Sequence, residues 1–300
     1  MHRKVRRTVG AGLTRLGLSL IWLLHFLPLP VLAPIGRAIG LFFYFVIRKR
    51  RRVGITNLRL CFPEWSEAKR RRVLRRHFQA FGRAVIERGI LWWSSRERVM
   101  RVVRVEGLDN WLAVRDRPVI WLAPHFVGLD MGGSRAATEF ALASMYSRQS
   151  NHIFDALLYR GRTRFVMPRL LSRQEGLRPL VRAMREGLPF YYLPDMDFGP
   201  RDSVFVPFFG VPAATITGLS RIAKLADAVV VPVITEQLPG GQGYVLRFYP
   251  AWTNFPTDDA EADARRMNEF IEARVQEIPE QYHWLHKRFK TRPPGLAPVY

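Results

Sequence analysis

Cysteine is almost absent: Cys61 is the only one in 300 residues. That excludes a disulfide framework and any zinc site built on several thiolates, and leaves Cys61 to read as a small buried apolar residue. Acid is the second shortage. Only four of the 25 acidic residues (Glu64, Glu67, Glu87 and Glu97) fall within residues 1–104, against 24 Lys and Arg, so the first third holds +20 of the total charge of +22. Such an imbalance speaks to partners rather than to fold, and the candidates are nucleic acid, an anionic membrane surface or an acidic protein. Several motifs are also missing. There is no Gly-x-Ser-x-Gly elbow, no His-Glu-x-x-His, no phosphate loop and no Gly-x-Gly-x-x-Gly, which leaves serine-hydrolase, zinc-hydrolase and nucleotide-driven chemistry without support. At 48% hydrophobic and 24% charged residues the chain is too apolar to be disordered.

Inside the basic third lies a long apolar stretch. From Leu16 to Ile47 the only Lys, Arg, Asp or Glu is Arg37. The length suffices to meet a bilayer, but Pro28, Pro30 and Pro34 predict two apolar arms joined by an irregular piece. Bases flank both ends, Arg3 to Arg7 in front and Arg48 to Arg52 behind, so a segment dipping into one leaflet fits as well as a single span. No small-residue cleavage site follows, which argues against a signal peptide. A buried hairpin of a soluble protein is the alternative. Zinc-finger, RNP and heptad patterns are absent, so nucleic acid is not the expected partner and a lipid surface is. Ser66 caps an expected basic helix over 66–93, with Leu74, Phe78, Phe81 and Val85 inward and Lys69, Arg72, Arg76 and Arg83 outward. These features divide the chain into a membrane anchor, 1–50, and one domain, 51–300, which includes the basic helix.

Beyond residue 98 the pattern alternates. Strands are expected near 99–105, 118–123, 140–146, 189–193, 229–234 and 244–249, and helices near 129–137, 155–164, 177–186, 214–226 and 258–275. This predicts an α/β fold, a central and mostly parallel sheet flanked by helices. At the end of the second strand stands Trp121-Leu-Ala-Pro-His125-Phe-Val-Gly-Leu-Asp130. Strand ends facing a helix N-terminus are where such folds build sites, and an imidazole with a carboxylate suits general base work. The spacing alone is common by chance. Of the other histidines, His283 and His286 sit at helical spacing with no third ligand nearby, so no metal is expected.

Longer blocks are more specific. Arg52-Val-Gly-Ile-Thr-Asn-Leu-Arg-Leu-Cys-Phe-Pro-Glu64, the His125/Asp130 pair, Leu193-Pro-Asp-Met-Asp-Phe-Gly-Pro200, Ser203-Val-Phe-Val-Pro-Phe-Phe-Gly-Val-Pro-Ala-Ala-Thr215 and Gln281-Tyr-His-Trp-Leu-His-Lys-Arg-Phe-Lys-Thr-Arg-Pro293 together resemble the late acyltransferases of bacterial lipid A biosynthesis, almost end to end. The resemblance implies a glycerolphosphate-acyltransferase-like fold at the inner membrane with its active site facing the cytoplasm. It implies acyl transfer from acyl carrier protein, an acidic partner, to a hydroxyl of an anionic lipid A precursor bearing Kdo sugars. The acyl thioester is a co-substrate, and no cofactor is expected. His125 would be the base and Asp130 its orienting carboxylate. Arg162 and Arg164 match a Gly-Arg-x-Arg block and would face the oxyanion or a phosphate. Asp195, Asp197 and Arg201 are candidates for substrate binding: the two aspartates would orient the acceptor, although binding an arginine internally is the favoured reading for them, and Arg201, with His286, Lys287, Arg288, Lys290 and Arg292, would meet phosphates or the carrier protein. Two alternatives stay open: an acyltransferase for another glycolipid or phospholipid acceptor, such as a phosphoinositide mannoside, and a basic membrane- or RNA-binding module without catalysis.

Overall fold

The computed structural model describes residues 2–166, 169–172 and 176–300. The apolar arms are helices α1 (His2–Leu24) and α2 (Leu29–Val46), and the irregular piece between them is shorter than three prolines suggested. Pro28 takes the N-cap position and Pro30 lies in the first turn, where a missing N–H costs no hydrogen bond, while Pro34 is carried within the helix. The guanidinium of Arg98 fastens the turn by donating to the carbonyls of His25 and Leu27, each at 2.6 Å. Trp22, Phe26, Phe42 and Phe45 project from these helices as exposed apolar surface, and α2 is long and apolar enough to cross a membrane.

Next come α3 (Arg48–Cys61) and α4 (Glu67–Trp93), so the division drawn at residue 50 falls inside a helix. Ser66 caps α4 as expected, its Oγ accepting from the Lys69 amide at 3.2 Å. The buried line on α4 runs through Leu74, Phe78, Gly82, Ile86 and Ile90, with Phe81 and Val85 only half buried. Glycine explains the difference. A Cβ on Gly82 would lie 2.4 Å from the Gly36 carbonyl oxygen, and one on Gly40 would lie 2.0 Å from that of Phe78, so α2 and α4 cross with backbones touching. Arg83, expected on the solvated face, is instead buried and pairs with Glu87 at 2.9 Å. Because both obstacles at this crossing are backbone, Gly40→Leu is expected to cost about 3 kcal/mol or more. Limited proteolysis should then cut near residues 25–28 before the rest of the chain.

Among the described residues nine strands follow: β1 (Val103–Glu106), β2 (Val119–Leu122), β3 (Ala143–Tyr146), β4 (Arg169–Ser172), β5 (Phe190–Tyr192), β6 (Ser203–Phe208), β7 (Val211–Ile216), β8 (Val229–Gln237) and β9 (Tyr244–Phe248). Seven form one sheet in the order β1-β9-β8-β2-β5-β3-β4, parallel throughout except between β8 and β9. β6 and β7 make a separate antiparallel hairpin. Successive residues of β2 serve opposite faces. Ile120 and Leu122 pack with α9 (Arg178–Arg185), α10 (Gly218–Ala226) and α11 (Ala260–Glu277), while Val119 and Trp121 pack with α7 (Leu129–Ala136), α8 (His152–Arg162) and the second half of α4. The α/β architecture expected from the alternation is thus the one observed. Other elements differ from the expected ones. Residues 96–102 are helix α5 (Arg96–Val102), the front of the expected helix over 214–226 is β7, and β4, β6 and a short helix α6 (Asp109–Leu112) fall where no element is expected.

Candidate active site

Two neighbouring strands build the site by ending alike. In the parallel pair β2 and β5, Leu122 is in register with Tyr192. The Ala123 amide extends the ladder by donating to the Tyr192 carbonyl at 2.8 Å. Pro124 and Pro194 then end both strands, because neither has an N–H to continue the ladder. One residue further on stand His125 and Asp195, each three positions past the paired register and therefore opposite one another. His125 Nδ1 lies 2.6 Å from Asp195 Oδ1, and the His125 amide donates to Asp195 Oδ2 at 3.0 Å. The carboxylate is almost fully buried and the imidazole is 18% exposed. Burial alone would raise the Asp195 pKa, but His125, with a contribution from Arg288, outweighs it and brings it down to about 2. A buried carboxylate that stays ionised on Nδ1 fixes the ring and leaves Nε2 without a hydrogen bond among the described residues, the arrangement a general base needs.

The expected contact between His125 and Asp130 is not formed. Asp130 sits at the start of α7, where its Oδ2 accepts from Arg88 and its Oδ1 from Arg162 at 3.0 Å. Burial works to raise its pKa, yet the two guanidinium groups hold it well below the usual carboxylate range. The physical reason is direction. Asp130 belongs to a helix that leaves the strand end along one face of the sheet, whereas Asp195 is aligned with His125 by the ladder itself. α7 can approach β8 so closely only because its contact residues are glycines. A Cβ on Gly132 would lie 1.9 Å from the Thr235 hydroxyl.

Along α7 runs a narrow cavity lined by Leu129, Asp130, Gly133, Ser134 and Ala137, a single helical stripe, and closed on the other side by residues that include Leu142, Leu170, Tyr191 and Leu193. Arg162 and Asp130 mark its mouth beside the C-terminal ends of the strands, and Ala137, Leu142 and Leu170 lie near their N-terminal ends. At 1.5 Å per helical residue the stripe is about 12 Å long. The lining is apolar apart from Ser134 and Ser144 and the charged pair Asp130 and Arg162 at one end.

The other expected site residues part company. Asp197 is buried and accepts from the Thr291 amide at 2.6 Å, the Thr291 hydroxyl at 2.8 Å and the Gly199 amide at 2.9 Å, so it does not face an acceptor. Arg164 donates to the carbonyls of Leu91 (2.8 Å) and Ser94 (2.7 Å), tying α8 to α4 rather than facing a substrate. Arg201 lies at a different cavity, of about 530 Å³, lined also by Met145, Tyr192, Phe198 and Arg221. Of the residues expected around the base, the structure gathers His125 with Asp195, and Asp130 with Arg162. Among the described residues no cluster of three or more His, Cys, Asp or Glu is arranged to hold a metal ion.

The family model for bacterial lipid A biosynthesis acyltransferases matches residues 2–291. The chain belongs to that family. This acyltransferase is 36% identical over 294 residues to the lipid A biosynthesis lauroyltransferase of Escherichia coli K12, covering 96% of this chain and 94% of that one. It is 34% identical over 291 residues to the palmitoleoyltransferase of the same strain, with 96% and 94% covered. The myristoyltransferase is 34% identical over 274 residues, with 90% and 83% covered. Among solved structures, a 1-acyl-sn-glycerophosphate acyltransferase from Thermotoga maritima overlaps 83% of this chain and 96% of its own at 16% identity and a TM-score of 0.38. In this acyltransferase Arg88 was not foreseen at the site. It lies on the basic helix, one of many arginines there, and only the packing of α4 against α7 singles it out.

Proposed function

We propose that this acyltransferase moves a fatty acyl chain from the thioester of acyl carrier protein to a hydroxyl of a Kdo-bearing lipid A precursor, at the cytoplasmic face of the bacterial inner membrane. The observation that carries the reading is the His125–Asp195 pair at the C-terminal ends of β2 and β5, the same end of the sheet at which Asp130, Arg162 and Leu193 line the cavity along α7. The donor's chain occupies the slot along α7, which brings its thioester carbonyl to the mouth. His125 Nε2 takes the proton of the acceptor hydroxyl as its oxygen attacks that carbonyl. Arg162, oriented by Asp130, faces the oxyanion of the tetrahedral intermediate. Collapse breaks the carbon–sulfur bond, and the departing thiolate takes the proton from His125. No covalent enzyme intermediate is needed, because the thioester is already activated.

The excess of base in the first third favours the acidic carrier and the anionic acceptor, and the exposed aromatics of α1 and α2 favour a lipid surface. The test is acyl transfer by purified enzyme in detergent, from a panel of carrier-protein and coenzyme A thioesters to the tetra-acyl, Kdo-bearing precursor, read by mass. One added acyl group, from the carrier thioester in preference to coenzyme A, is the expected result. Folded enzyme that leaves this acceptor unmodified with every donor overturns the assignment.

A further inference from the structure

The C-terminal segment 281–292 touches both catalytic loops. At one end the Gln281 carbonyl accepts from the Val127 amide at 2.8 Å, and the His283 amide donates to the His125 carbonyl at 3.0 Å. Three residues later the ring of His286 reaches the other loop, where Nε2 lies 3.1 Å from the Asp197 amide nitrogen. A backbone amide can only donate, so Nε2 must be the lone-pair nitrogen and His286 must be neutral with its proton on Nδ1. Burial secures this by bringing the His286 pKa down to about 4.

The segment between these grips is itself clamped. The buried Asn57 of α3 donates to the carbonyls of Trp284 (2.8 Å) and His286 (2.7 Å), and its own oxygen accepts from the Tyr300 hydroxyl. Arg288, buried, donates to the Ala214 carbonyl at 2.8 Å and the Thr215 hydroxyl at 3.0 Å, which ties the segment to β7. Gln281, His283, His286 and Thr291, which donates to the Asp197 carboxylate, therefore join the loop that carries His125 to the loop that carries Asp195 through one strap. The strand ends bring the two residues opposite each other, but past Pro124 and Pro194 no ladder holds them.

We propose that His286 is a positioning residue: its Nε2 holds the Asp197 amide and thereby keeps the Asp195 carboxylate on His125 Nδ1. The inference rests on the acyl-transfer reading only for its kinetic readout. Gln places an amide oxygen close to where His places Nε2, whereas Leu fills similar space with no acceptor. His286→Leu is expected to lower kcat about 10- to 100-fold with KM within about threefold, and His286→Gln to restore most of it, consistent with one hydrogen bond's effect on catalytic alignment.

A packing role would cost the same in any background, so the deciding measurement is a double-mutant cycle. With Asp195 already replaced by Asn, His286→Leu should lower kcat less than twofold further. A second readout needs no acceptor. The downfield proton NMR signal of the His125 Nδ1–H held by Asp195 should be present in the unaltered enzyme and in His286→Gln, and lost or shifted upfield in His286→Leu. Equal kinetic losses in the two backgrounds, or an unchanged signal in folded His286→Leu, overturn the proposal. If His286→Leu does not fold, the Gln variant decides: full activity and an unchanged signal support the acceptor role, and loss of both overturns it. Absence of transfer by the unaltered enzyme, with the signal behaving as expected, would remove the lipid A assignment and leave the positioning role standing.

Discussion

Asp195→Asn is expected to lower kcat by about 10³- to 10⁴-fold, and His125→Ala at least as much, with the fold intact in both. An amide at position 195 accepts from the His125 backbone as before but presents no negative charge to an imidazolium and permits the wrong tautomer. Asp130 provides the contrast. Its oxygens belong to Arg88 and Arg162, so Asp130→Asn should act by loosening Arg162 and cost about 10- to 100-fold. Steady-state kinetics on the three variants, with thermal unfolding as the check on folding, separates the two carboxylates. A deep loss in Asp130→Asn together with a mild one in Asp195→Asn would return the orienting role to Asp130.

The second large effect concerns chain length. Ala137 lies on the α7 stripe at the deep end of the slot, is nearly inaccessible to solvent and faces the same space as Leu142 and Leu170. Ala137→Phe puts a ring where the last carbons of a long chain would lie. A methylene that no longer fits is worth about 1–3 kcal/mol in discrimination, so the ratio of short-chain to long-chain transfer should move by about 10²-fold or more. Gly133→Leu, half-way up the same stripe, should select still shorter donors. Competition between donors of graded length, read by product mass, tests both. An unchanged donor preference in a folded Ala137→Phe enzyme would place the acyl chain elsewhere, and the 530 Å³ cavity beside Arg201 would be the next to block.

Period-2 and near-continuous apolar runs located β2, β5, β8 and β9, because strands covered on both faces need them. Residues 99–105 bear out the expected strand only from Val103 onward, in β1, while 99–102 belong to α5. Val99 and Val102 favour a strand, but Ser95 caps α5 by accepting from the Arg98 amide at 3.3 Å. A capping signal outweighed β-branched composition. The β6–β7 hairpin was missed because its turn lies at Phe209-Gly210, between strands that each contain a proline, Pro207 opposite Pro212. His125 was legible as a polar residue after a strand-ending proline, and Asp195 carries the same mark. Their partnership was not legible. It spans 70 residues and depends on β5 lying next to β2, a matter of sheet order that no local pattern encodes.

The glycine crossing of α2 and α4 has a consequence for how the enzyme meets its substrate. α4 is one unbroken rod, and it joins the α2 contact at Gly82 to Arg88, which reaches Asp130 at the slot. One continuous helix therefore joins the α2 contact to the Arg88–Asp130 pair. In the proposed reading, seating the aromatic surface of α1 and α2 on a bilayer would fix the height of Asp130 and Arg162 above the headgroups. The membrane would then serve as a datum plane, and an acceptor hydroxyl carried too high or too low would be out of reach whatever its other contacts.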